Sequence, residues 1–469
     1  MHFHTDNHRL SCFCKNLSCD SIVITFNVLP QQHKITTVEG NMLTKPTSRR
    51  GFLRGGAALA GGVAIAGMPA LAQQVARIRA GGYVESQEQL RQTLAVWEAY
   101  SEAHEDVEIV AELTNFSAFT DKLATEAAGG NAPDFFSVNV DLMAEYAKRG
   151  VIRPLDEFVP DPLNLDDYLD GAVRAVSRDG QLFAIPNDAI APACMMNTAM
   201  IEKAGVEIPP DMWTWEQLGD MAVAVHEALG PRVWGIEDNG GNYIPCDIFL
   251  RSMGKSMFTP EHTFGFEEDD LAAWYAYWAG LRERGGVPPG DIQALSTGDP
   301  SQTGIVTGRT AMYLTLTDSF AGLQSLMTDP IQLHLMPNGF EGDELKQHHY
   351  AYAGNSTALW SQSEHHERVI DIIRFMHFDP QGIEIYYRGS GMVPASKAGR
   401  DALAAEGDEN EKAIVAYLDV LEKNPAPPRL PGVPGMSGML SRANEGVAFG
   451  KMTPNEAARQ FMQEAGAKL

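Results

Sequence analysis

From Arg77 onward, apolar and polar positions switch repeatedly between a period of two and a period of three to four. Arg77-Ile78-Arg79-Ala80 alternates as a strand and runs into Gly81-Gly82; Ser86 then stands three residues ahead of Gln89, the spacing of a capping box. Leu90, Leu94 and Trp97 follow at helical spacing, and Val107, Ile109, Ala111 and Leu113 alternate as a strand with one buried face. The pattern predicts a helix over 117–128 stopped by Gly129-Gly130, a buried strand over 134–138, and a short helix over 141–149 stopped by Gly150. This βαβαβ order makes a parallel sheet covered by helices.

The alternation continues in the second half. Gln181 to Pro186 and an apolar segment ending at Met196 read as strands, and Asn197 caps a helix ended by Gly205. Thr214-Trp215-Glu216-Gln217 is a second capping box, opening a helix with Leu218, Met221, Ala222 and Val225 on one face and Gly230-Pro231 at its end. Val233 to Ile236, an aromatic helix with Trp274, Tyr275 and Trp278, and strands over 311–316 and 331–336 complete another α/β region. The Pro/Gly-rich stretch 424–438 reads as an ordered connection, not a linker, and no internal repeat interrupts the order. Two α/β lobes are expected.

The N-terminal part follows other rules. Ser48-Arg49-Arg50-Gly51-Phe52-Leu53-Arg54 precedes a Gly/Ala-rich, weakly apolar run over 55–68 and Ala70-Leu71-Ala72. A paired arginine, an apolar run too short for a bilayer and small residues at a cleavage point make a twin-arginine export signal, cut after Ala72 and releasing a periplasmic protein that starts at Gln73. Met42 with Leu43-Thr44-Lys45 supplies an ordinary start for that signal, which leaves residues 1–41 as an extraneous leader and 42–72 as the signal proper.

Charge narrows the function. With 36 Lys+Arg against 61 Asp+Glu, the chain carries a formal −25, and the basic leader accounts for part of the positive charge. Such a field repels phosphate backbones and anionic lipid, so nucleic acid and membrane surfaces are excluded as partners. Of five cysteines, only Cys194 and Cys246 lie beyond the leader; one bridge and two separately buried thiols are both open.

Several segments together resemble the extracellular solute-binding proteins of ABC importers, in particular the carbohydrate-binding group whose best-known member binds maltose. They are Asn131-Ala132-Pro133-Asp134-Phe135; Ala144 to Gly150 with Pro154-Leu155-Asp156; Met196 to Gly205; Thr214 to Leu218; Gly304 to Met312; and Ala353 to Leu359. Cys194-Met195 stands where such proteins often carry aromatic residues. The resemblance implies a two-lobed α/β binding protein whose lobes are joined by a three-segment hinge, with the chain crossing near 186–192, 336–339 and 391–394. Lobe 1 would hold 73–188 and 342–390, and lobe 2 would hold 189–341 and 391–469. It further implies a monomer without cofactor, loading a neutral sugar, oligosaccharide or polyol from the cleft into a membrane permease.

Clefts of such lobes open at the carboxyl ends of strands, which directs attention to the residues just beyond them. Tyr83 and Glu85 follow the first strand, Asn115 the second, and Asn139 with Asp141 the third. Asp188 sits at the first crossing; Tyr243 lies beside Gly240-Gly241; Asp318 follows a strand; Asn355 follows Gly354; and Arg388 precedes Gly389-Ser390-Gly391. Rings suit the apolar faces of sugars, and Asp, Asn, Glu and Arg suit their hydroxyls. Each has a plain structural alternative: Asp188 as a turn cap, Arg388 as a surface ion pair, Trp274 and Trp278 as core.

His348-His349 and His365-His366 lack a carboxylate or cysteine at ligand spacing, so solvated histidines are expected and no metal. A secreted glycoside hydrolase is the rival class, since a sugar cleft with two carboxylates serves that chemistry too. No nucleophile elbow, His-Glu-x-x-His or phosphate loop accompanies the cleft residues. A ligand-sensing protein feeding a signalling receptor would look the same in sequence.

Overall fold

A computed structural model describes residues 75–84, 86–294, 299–433 and 435–469. The leader, the twin-arginine segment with its cleavage point, and Glu85 lie outside the described residues. Nine strands carry the two main sheets: β1 (Ala76–Tyr83), β2 (Val107–Thr114), β3 (Phe135–Val138), β4 (Ala184–Pro186), β5 (Pro192–Asn197), β6 (Trp234–Ile236), β7 (Thr310–Leu316), β8 (Ile331–His334) and β9 (Ser356–Leu359).

The first sheet has the order β2-β1-β3-β9-β4. β1 runs parallel to β2 and β3, while β9, drawn from far along the chain, enters antiparallel between β3 and β4. Close packing explains the glycines of β1: a Cβ on Gly81 would sit 2.8 Å from the Pro133 ring, and one on Gly82 would sit 2.8 Å from Ser137 Oγ. Helix starts follow their caps. Ser86 accepts from Gln89 N at 3.0 Å to open helix Gln87–Ala103, and Asn115 and Asn139 open helices Phe116–Ala128 and Val140–Lys148 in the same way. Helices His366–Phe378 and Pro380–Tyr387 return to pack on Gln87–Ala103, completing this lobe.

The second sheet has the order β8-β5-β7-β6. β5 is buried along its whole length. Helix Trp215–Leu229 carries the capping box expected of Thr214 and Gln217. Trp215, Phe249, Trp274 and Trp278 form an aromatic core with ring centroids 5.2–5.9 Å apart, and Trp274 and Trp278 have no exposed surface. Helices Met436–Ala448 and Pro454–Gly466 pack on helix Glu268–Glu283 and close the lobe. Cys194 and Cys246 are both free and buried, so the two thiols are not bridged.

Two lobes joined by three chain segments result. Residues 187–191 lead from β4 to β5; Ile190 and Tyr352 exchange backbone hydrogen bonds at 2.9 Å in each direction, and Ala189 N donates to Val393 O at 2.8 Å. Asp188 pairs with Pro394 in the same ribbon. The return expected at 336–339 comes later. Asn338 N donates to Trp213 O and Trp215 N to Gly339 O, which hold that segment on the second lobe until the chain meets the first at Tyr352.

One histidine also departs from expectation. His349 is fully buried, not solvated: its Nε2 accepts from Met336 N at 2.9 Å, and burial pushes its pKa down to about 3. Among the described residues, no group of side chains is suited to hold a metal, and no helix is long and apolar enough to cross a membrane.

Candidate functional site

Between the lobes lies a cleft of about 750 Å³. Its first wall comes from the carboxyl end of the first sheet, where Tyr83 ends β1, Asn139 follows β3, and Phe116 opens a helix. Its second wall comes from Glu237 just past β6, Tyr243 at a helix start, Tyr313 on β7, and Asp318 just past that strand. The hinge ribbon forms the base through Asp188, Tyr352, Gly354 and Asn355. Strand ends and helix starts thus face each other across the hinge, the arrangement in which open α/β sheets bind ligands.

Aromatic rings are held rigidly here. Tyr83 meets Phe116 edge-on at 5.0 Å between centroids and leans on Phe119 at 5.9 Å. Burial raises the hydroxyls of Tyr243, Tyr313 and Tyr352, that of Tyr313 to about 12, so all three keep their protons at neutral pH and can donate to a ligand oxygen. Glu237 Oε1 accepts from the backbone of Gly304 and Ile305; burial raises this carboxyl, against the lowering effect of those two N–H groups.

The hinge carries its own anchor. Asp188 is 6 % exposed, and its Oδ1 accepts from Gly354 N and Asn355 N, both at 2.9 Å. Its carboxylate binds the second crossing segment while its backbone pairs with the third. Gly354 is required there because a Cβ would stand 2.6 Å from Ile190 Cδ1. Beneath, Tyr387 Oη donates to Asn187 O at 2.5 Å and receives His377 Nδ1 at 2.8 Å.

Arg429, from the Pro/Gly-rich connection, lines the cleft with 7 % of its surface exposed. Its guanidinium lies 5.1 Å from the Tyr243 ring centroid and 5.6 Å from that of Tyr352. Both its terminal nitrogens reach Asp141 of the opposite lobe, at 3.3 and 3.2 Å, and Gly432 N adds a bond to the same carboxylate at 2.8 Å. Burial works to raise the Asp141 carboxyl, but the Arg429 charge and these bonds outweigh it and hold it below its ordinary value.

Of the candidates read from sequence, Tyr83, Asn139, Asp188, Tyr243, Asp318 and Asn355 line the cleft together. Asn139 spends its side-chain oxygen on Leu142 N at 2.9 Å, and Asn115 caps Ala118 N at 3.0 Å while its neighbour Phe116 faces the cleft. Asp141 is engaged by Arg429. Arg388 does not reach the cleft: it pairs on the surface with Glu384 at 2.9 Å and Glu406 at 2.6 Å, the plain alternative for an arginine. Phe116, Glu237, Tyr313, Tyr352 and Arg429 were not singled out. For Tyr313, alternation along β7 was the available signal; for Arg429, none was local.

The family model for bacterial extracellular solute-binding proteins matches residues 95–412. The sn-glycerol-3-phosphate-binding periplasmic protein of Escherichia coli K12 is 23% identical over 295 residues, covering 60% of this chain and 66% of that protein. An extracellular solute-binding protein family 1 structure from Alicyclobacillus acidocaldarius superposes with a TM-score of 0.65 at 26% identity, covering 84% of this chain and 98% of that one. A periplasmic oligogalacturonide-binding protein from Yersinia enterocolitica, in complex with saturated digalacturonic acid, gives 0.72 at 19% identity over 83% and 97%.

Proposed function

Because this chain belongs to the bacterial extracellular solute-binding proteins, we propose that it is the substrate-binding component of an ABC importer, capturing a neutral sugar, oligosaccharide or polyol. The observation that carries this reading is the interlobe cleft, where fixed aromatic rings and hydroxyl donors stand on opposed walls over a hinge. Apolar ring faces take the C–H surface of a sugar, and the tyrosine hydroxyls, Glu237 and the hinge polar groups take its hydroxyls. Relatives that bind an oligogalacturonide or a glycerol phosphate support a polyhydroxylated ligand.

The protein works by closure. Two rigid lobes on three short segments exclude water around the solute, and the ligand's preference for the closed form drives the change. The closed form is what a permease reads, and the solute is released unaltered. Export through the twin-arginine route into the periplasm and action as a monomer complete the proposal.

A thermal-shift screen of the protein from Gln73 onward tests it, using neutral sugars, polyols, D-galacturonate, sn-glycerol 3-phosphate, amino acids and polyamines. A concentration-dependent rise in melting temperature with a neutral sugar or polyol is expected, since a ligand binding only the native state stabilises it. Stabilisation by amino acids or polyamines alone, or chemical conversion of a stabilising sugar, would refute the assignment.

A further inference from the structure

We infer that Asp141 is a specificity-determining residue that keeps anionic ligands out of the cleft by filling the Arg429 fork from the opposite lobe. The inference rests on the carbohydrate reading above and adds the charge class of the ligand to it. A guanidinium presents paired N–H donors that match a carboxylate or phosphate, which makes a buried arginine in a binding cleft a natural anion receptor. Among the described residues that line the cleft, Arg429 is the one basic side chain. Its terminal nitrogens are taken by the two oxygens of Asp141 at 3.3 and 3.2 Å, and the Tyr243 and Tyr352 rings lie within 5.6 Å of the guanidinium.

The other charged groups lining the cleft are Glu88, Asp188, Glu237, Asp318 and Asp408, all acidic. An incoming anion therefore meets a neutralised arginine in a field of carboxylates and must displace Asp141 to gain a partner. Displacement also breaks the 2.8 Å bond from Gly432 N to Asp141. A neutral ligand meets no such barrier.

Asp141→Ala tests the inference, with sn-glycerol 3-phosphate and D-galacturonate as anionic probes and the neutral sugar panel alongside. Titration followed by melting temperature is expected to show the wild type unmoved by either anion. At least one anion should stabilise Asp141→Ala, with binding tightened by about tenfold or more, equivalent to about 1.4 kcal/mol. Adding Arg429→Gln to that variant should abolish the gain. Asp141→Asn, which keeps the shape and gives up the charge, carries the same test should the alanine variant fail to melt cooperatively. Wild-type binding of an anion as tight as that of the variants, or folded variants that gain none, would overturn the inference. Neutral sugars binding the wild type in that case would leave the carbohydrate reading standing; an anion gained by Asp141→Ala with no sugar bound by either protein would overturn the carbohydrate reading alone.

Discussion

Asp188→Ala removes the carboxylate by which the first crossing segment holds the second. Two backbone N–H groups, that of half-buried Gly354 and that of buried Asn355, each lose an acceptor at 2.9 Å. Hydrogen bonds to a charged group contribute about 1.5–3 kcal/mol each, and water entering from the adjacent cleft recovers part of the loss, so a net cost of about 3 kcal/mol is expected. For a cooperative unit of roughly 400 residues, the usual unfolding entropy of about 2.1 cal/mol/K per residue converts this into a melting temperature lower by about 4 °C. Both bonds end on the same oxygen, Oδ1, so Asp188→Asn can keep both as neutral bonds and should lose less than half as much. Differential scanning calorimetry of the ligand-free wild type and both variants measures this directly. An alanine variant melting within about 1 °C of wild type, where the same entropy leaves less than about 1 kcal/mol, would refute the hinge role of Asp188.

Further outcomes follow from buried groups. His349 and His377 are held neutral in the fold, their pKa values pushed down to about 3, chiefly by burial, from an ordinary 6.5. Between those values the unfolded chain binds more protons than the native one, so stability falls as pH drops below about 6.5, by up to about 1.4 kcal/mol per pH unit for each histidine. Urea unfolding at pH 7 and pH 5 should show this slope, and His349→Gln with His377→Gln should flatten it. Gly354→Ala drives a methyl group to 2.6 Å from Ile190 Cδ1 and should destabilise by about 1–3 kcal/mol in chemical denaturation. Since Cys194 and Cys246 are free and buried, dithiothreitol should leave the melting temperature of the protein from Gln73 onward unchanged, and these two thiols should resist alkylation until it is unfolded.

Much of the architecture was legible because local chemistry and long-range packing agree. Caps at Ser86 and Thr214 mark helices that begin where those caps stand, and the alternation from Val107 to Leu113 is carried by β2. The second return was misplaced for a physical reason. Nothing local distinguishes 336–339 from 350–355 as a crossing; the difference lies in Trp213 and Trp215, more than a hundred residues away, which hold the earlier segment to the second lobe. Site residues at strand ends were accessible to a topological argument, which is how Tyr83 and Asp318 came into view, while Tyr243 was marked by the glycine-rich loop before it. Arg429 was not, because its place in the cleft depends on a late loop folding back across residues 141 and 243. Arg388 shows the opposite failing: a glycine-rich neighbourhood suggested an opening, while Glu384 and Glu406 claim the guanidinium at the surface.

The central claim, that two hinged lobes enclose one carbohydrate without altering it, is met most directly by calorimetric titration of the purified protein with the best neutral ligand of the screen, followed by chemical analysis of the ligand recovered. The account predicts saturation at one molecule per chain and recovery of the same molecule. A ligand that saturates at no defined stoichiometry, or that returns cleaved or oxidised, would contradict it.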